Sequence, residues 1–121
     1  MLKIKQHGND RLDLVLSGKV DEKIMTAGLD EFMEKSEGVE HGKILYEIYD
    51  FEFPTLAAIN VKLSRLPSLF GVIKKFDRMA IVTEKTWLRY ASEVEGALIP
   101  GLEIKAFERE DKDKAEAWLT H

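Results

Sequence analysis

The chain has 121 residues, 45% of them hydrophobic and 33% charged, a length for one domain and a balance far from that of a disordered polymer. It contains no cysteine, which excludes disulfides, thiolate nucleophiles and Cys-ligated zinc or iron–sulfur centres. Against 18 basic side chains stand 22 acidic ones, a net charge of −4, so the molecule as a whole repels polyanions and no nucleic-acid partner is expected.

Two short alternating runs open the chain, Leu2, Ile4 and Gln6 against Lys3 and Lys5, then Leu12, Leu14 and Leu16 against Asp13, Val15 and Ser17. A period of two predicts strands, and the turn-tolerant link His7-Gly8-Asn9-Asp10 predicts an antiparallel hairpin. From Asp21 the spacing changes: Ile24, Met25, Gly28, Leu29, Phe32 and Met33 recur at three and four residues, the mark of an amphipathic helix near 22–36. Asp21 is suited to cap its start and Gly38 to stop it. A third strand is predicted over 43–50. A helix could then begin at Pro54-Thr55 and run through Leu56, Ile59, Leu63 and Leu66 until Pro67 kinks it or divides it in two. Residues 78–83 read as a compact strand, and Trp87, Ala91, Val94 and Leu98 trace one helical face ended by Pro100-Gly101. Leu102, Ile104 and Ala106 alternate with Glu103, Lys105 and Phe107 in a fifth strand. Last, Asp111 is expected to cap a short helix turning Ala115, Trp118 and Leu119 inward.

The order β-β-α-β-α-β-α-β-α predicts a single α/β domain over 1–121: a five-stranded mixed sheet, hairpin first and parallel βα units after it in sequential order. Four principal helices should lie mainly on one face, the one after the third strand broken near Pro67. The first, second and fifth strands alternate, so the opposite face should be partly open.

Nothing in the chain predicts an enzyme. It lacks a dinucleotide-binding glycine motif, a P-loop, a metalloprotease helix and a nucleophile elbow, so no catalytic residue and no cofactor are assigned. His7, His41 and His121 are spaced too widely for a local ligand set, so no metal is expected. Ser17, Ser64, Ser68 and Ser92 have no sequence-evident His and carboxylate partners. Glu47, Asp50 and Glu52 gather near the end of the third strand, where α/β folds often place a site, but in a chain so rich in acids a solvated strand end explains them as well. The first residues lack an apolar signal-like core and no run approaches 18 apolar residues, which predicts a cytoplasmic protein, at most peripheral at the inner face of the membrane.

One segment departs from the rest. Residues 53–76 contain no acid, and with Lys62, Arg65, Lys74 and Lys75 they carry +4, leaving −8 for the remainder of a −4 chain. The segment is also apolar nearly all round, through Leu56, Ile59, Leu63, Leu66, Leu69, Phe70 and Ile73, whereas a helix covering one sheet face needs a stripe of only about 100°. The surplus could be taken up by a partner subunit, by a lipophilic ligand held against the sheet, or by an anionic membrane surface; the competing reading is a central crossover helix buried on several sides. Phe51 and Phe53, on the loop before it, could close over such a ligand. Thr55 could bear a phosphate at a helix N-terminus or serve as an ordinary cap.

Taken whole, the chain resembles the SpoIIAA-like branch of the STAS superfamily, the fold of bacterial anti-sigma-factor antagonists. The resemblance is carried by the opening hairpin, Lys43-Ile-Leu-Tyr-Glu-Ile-Tyr-Asp50, Met79-Ala-Ile-Val-Thr83, Trp87-Leu and Ala115-Glu-Ala-Trp-Leu119. In those antagonists a Ser or Thr starting the helix after the third strand is phosphorylated by a partner kinase; here Phe53-Pro54-Thr55-Leu56-Ala57 offers only Thr55, without the acidic and glycine neighbours of that motif. The branch is also similar in fold to CRAL-TRIO lipid-binding domains. The reading is therefore a non-enzymatic binding module. A lipophilic ligand or membrane would meet Phe51, Phe53, Leu56, Ile59, Leu63, Leu66, Leu69, Phe70 and Ile73, with Lys62, Arg65, Lys74 and Lys75 toward anionic headgroups. The alternative is a regulatory module that docks a protein partner, with Thr55 as phosphoacceptor. A homodimer is expected in either case.

Overall fold

The computed structural model describes residues 1–96 and 99–120, and their side chains apart from those at 87 and 94–96. Strands β1 (Leu2–His7) and β2 (Arg11–Gly18) pair antiparallel with Leu2 opposite Leu16 and Ile4 opposite Leu14. Helix α1 (Glu22–Lys35) follows, its first turn capped by Asp21 Oδ1, which accepts from the Ile24 amide at 2.8 Å. Then come β3 (Gly42–Phe51), α2 (Leu56–Ser64), α3 (Leu66–Ile73), β4 (Phe76–Thr83), α4 (Thr86–Gly96), β5 (Glu103–Phe107), a 3₁₀ turn (Arg109–Asp111) and α5 (Lys112–Leu119). The sheet runs β1-β2-β3-β4-β5, parallel from β2 onward, the order expected for successive βα units. Of the face expected on α4, Trp87, Val94 and Leu98 lie outside the described side chains, as does His121.

One face carries the larger core. Ile4, Leu12, Leu14 and Ile44 lie under Phe32 of α1 and beside Phe76, whose ring stacks on Phe32 at 5.8 Å. Toward the carboxyl ends of the strands Leu16, Ile48 and Ile81 continue it beneath Ala58 of α2, with Ile24 and Met25 of α1 and Leu88 of α4 packed alongside.

Among the described residues the four principal helices are present, the one after β3 divided into α2 and α3, and the one feature of their arrangement not anticipated is that α5 lies on the opposite face. There Ala115 and Leu119 cover Leu45, Ala80 and Val82. The reason is legible in β3 and β4, whose runs Ile44-Leu45 and Ala80-Ile81-Val82 are apolar on both sides and need cover on both. Over β1 and β2 the same face stays polar, and Arg11 there bridges Asp13 (2.8 Å) and Glu116 of α5 (2.8 Å). Asp111 precedes α5 without a side-chain cap bond; its carboxylate lies 3.6 Å from Lys114 instead.

A close backbone approach occurs at Gly42, which opens β3. A Cβ there would sit 2.4 Å from Val39 Cγ1 and 2.6 Å from Phe76 Cδ1, both buried in the core. Gly42→Ala should therefore lower unfolding stability by about 1–3 kcal/mol in urea titration, the range for overpacking. An unchanged midpoint would contradict the packing described.

Candidate functional site

The acid-free segment forms α2 and α3, bent by 63° at Arg65. The bend precedes Pro67, which occupies the first turn of α3, where its missing N–H deprives the helix of nothing. The pair is anchored at three places. At its start the Thr55 amide donates to the Val20 carbonyl at 3.1 Å, and Thr55 Oγ1 caps α2 by accepting from the Ala58 amide at 3.1 Å. At the bend, Arg65 forms an ion pair with Asp30 of α1. At its end the Lys75 carbonyl accepts from Gly42 at 2.8 Å, and Lys75 Nζ donates to the Ser36 carbonyl at 3.3 Å.

Between these anchors the pair is thinly buried. Ala58 is the one buried residue of α2, and α3 has none. Leu69, Val72 and Ile73 lean on the first core cluster from half-buried positions, and Ile59 and Leu66 are likewise half-buried. Leu56 is 80% exposed, Leu63 56% and Phe70 50%. In the preceding loop Phe53 is 71% exposed and meets the half-buried Phe51 edge-on, ring centroids 5.6 Å apart. Of the six large hydrophobic side chains exposed among the described residues, four thus lie in 53–70, a concentration of exposed apolar groups in this one segment. Lys62 and Lys74 are exposed beside it.

The pair also leaves the sheet incompletely covered. α2 lies against α1, and the backbones of α2 and α3 stay farther from the strands than those of α4 and α5. Tyr46 of the central strand β3, Met79 of β4 and Ile104 of β5 are half-buried, and burial pushes the Tyr46 hydroxyl up to about 12. Two surface hollows, of about 500 and 370 Å³, run along α1 and are lined by Glu22, Thr26 and Asp30 and by Met1, Ile24 and Glu31; the residues expected to hold a ligand line neither. Among the described residues no single helix is long and apolar enough to cross a membrane.

The acids near the end of β3 are dispersed. Glu47 points to the α5 face, 8% exposed and paired with Lys112. Asp50 takes a left-handed backbone conformation (φ 50°) that turns its amide onto Glu84 Oε1 at 2.9 Å, and Glu52 is exposed. Sequence reasoning passed over Glu84 and Asp30, since each acquires its partner only when distant elements meet. Partial desolvation would raise the Glu84 carboxyl, but the amides of Asp50 and of Glu84 itself, with Arg109 and Lys85 nearby, hold it below the usual glutamate value. A depressed carboxyl stabilises the fold above its unfolded pKa and loses that contribution as pH falls through the folded one. The Asp50 amide resonance should therefore titrate with a midpoint below the usual glutamate value and cease to do so in Glu84→Gln; an amide indifferent to acid would refute the contact.

Residues 11–120 match the family model described as SpoIIAA-like. No curated protein matches. Among solved structures, the chain is similar to an uncharacterized protein of the DUF3478 family with a SpoIIAA-like fold from Shewanella loihica PV-4, at 24% identity and a TM-score of 0.75 over 98% of this chain and 92% of that one. It is similar in fold to the unphosphorylated anti-sigma factor antagonist SpoIIAA (12% identity, TM-score 0.56, 97% and 98% covered). The phosphorylated form of the Bacillus cell fate determinant SpoIIAA matches comparably (15%, 0.56, 94% and 98%).

Proposed function

The chain belongs to the SpoIIAA-like family, and from that premise we propose that it is a non-enzymatic regulatory module that docks a protein partner through the α2–α3 face. The observation that carries this reading is the set of Leu56, Leu63 and Phe70, apolar side chains exposed on helices whose one buried residue is Ala58. Large exposed side chains of this kind supply the desolvated anchors of interfaces. The likeness to an anti-sigma factor antagonist supports the same reading.

Thr55 is the phosphoacceptor in this proposal. It stands at the N-cap of α2, whose first turn has no acidic side chain to oppose a phosphate. Phosphorylation would replace the Thr55–Ala58 cap and add negative charge at the start of α2, a few residues after Asp50 of β3 and Glu52. Incubation with a cognate kinase should add one phosphate by intact mass, and Thr55→Ala should add none; phosphate found elsewhere would end the switch.

A second reading, a lipophilic ligand or an anionic membrane surface, is favoured by one observation: the helix pair stands off a sheet whose Tyr46, Met79 and Ile104 remain half-covered. It places the protein in the cytoplasm and at the inner membrane face. Of the four cations, Arg65 is held by Asp30 and Lys75 by the Ser36 carbonyl. That leaves Lys62 and Lys74, worth about 2 kcal/mol together at an anionic leaflet. This is marginal attachment, and we rank it second.

A photo-crosslinker at position 63 should capture a defined protein from the native host. Leu56→Asp with Phe70→Asp should reduce capture at least about tenfold while shifting stability by no more than ~0.5 kcal/mol, the usual range for surface sites. Capture that survives both changes would exclude this face, and flotation with anionic vesicles in place of any protein adduct would favour the membrane.

A further inference from the structure

We propose that the partner segment received by α2–α3 is acidic and amphipathic, its apolar side chains meeting Leu56, Leu63 and Phe70 and its carboxylates meeting Lys62 and Lys74. This rests on the docking reading above and adds the chemistry of the occupant. Three observations carry it. First, residues 53–76 contain no acid, so no carboxylate of the segment competes for its own cations. Second, Lys62 and Lys74 are exposed and make no ion pair among the described residues, so these two ammonium groups of the segment are available to an incoming carboxylate. Third, the molecule already seats one carboxylate on this surface: Asp30, reaching from α1 to Arg65 at the bend. A partner acid at Lys62, in the last turn of α2 three residues before Arg65, would extend that arrangement outward.

Charge argues for a protein segment over a lipid leaflet. The remainder of the chain carries −8, and an extended anionic surface facing the molecule would meet that field along with the basic patch. A short peptide seated on α2–α3 feels mainly the charges within about 8 Å at physiological salt, the screening length there. Apolar anchors would supply most of the affinity, and the two lysines would choose among partners and speed encounter.

The test uses the full chain, labelled with nitrogen-15, and three synthetic helical peptides with the same leucine positions. Their polar positions are all Glu, all Gln or all Lys, and anionic phosphatidylglycerol vesicles form a fourth arm. We expect the Glu peptide to bind at least about fivefold tighter than the Gln peptide and to weaken with added salt. Amide shifts should fall in 53–76, and Lys62→Glu with Lys74→Glu should invert the order so that the Lys peptide binds best. Equal binding of all three peptides at 53–76 overturns the acidic preference and leaves the docking surface standing. Shifts mapping elsewhere, or binding of vesicles and no peptide, overturn both. The spectrum of the double variant reports directly whether it remains folded.

Discussion

Parallel pairing of β3 with β4 forces the chain to travel from the carboxyl end of one strand back to the amino end of the next, over a face that α1 and α4 already occupy. Ten residues of β3 span about 33 Å, and the 17 residues of α2 and α3 would span about 26 Å if straight. Even straight, the two helices would fall short of the strand they return beside, and the bend shortens their reach further. The crossover bends at Arg65, rests on α1, and reaches the core through Ala58 at one end and half-buried Leu69, Val72 and Ile73 at the other. What it cannot bury it presents to solvent.

The contrast with α5 shows how unusual this is within the molecule. That helix, one residue shorter than α2, buries Ala115 and Leu119 completely and is held by Arg78 donating to the Trp118 carbonyl at 2.7 Å, by Arg11 on Glu116 and by Lys112 on Glu47. It has a narrow apolar stripe and polar flanks, and it docks like an ordinary covering helix. The α2–α3 pair is more apolar and less buried, the reverse of what the hydrophobic effect favours for an isolated chain. In the docking reading proposed above, the partner covers that surface.

Much of the architecture was legible. Alternation in β1, β2 and β5, three-and-four spacing in α1, the Asp21 cap, the Ile-, Leu- and Tyr-rich β3 and the compact apolar run of β4 are local signals, and each element stands where its signal lies. Asp111 misled, because a 3₁₀ turn precedes α5 and takes up the position where an N-cap side chain would act. The placement of α5 on the opposite face was also missed, although Leu45 and Val82 hinted at a second buried layer. The segment 53–76 stood out by the absence of acids, but its composition was silent on which apolar residues would be exposed.

The amino-acid sequence by itself determined the element order, the sequential sheet and the existence of an acid-free apolar crossover, because strand and helix periods and charge content are properties of neighbouring residues. Tertiary structure alone decided that Leu56, Leu63 and Phe70 face outward while Leu69 and Ile73 lean on the core, that Asp30 takes Arg65, and that Glu84 receives the Asp50 amide. A helix apolar on every side has no stripe to orient it, so its exposed face is chosen by the space its neighbours leave, and that space is set by contacts between residues far apart in the chain.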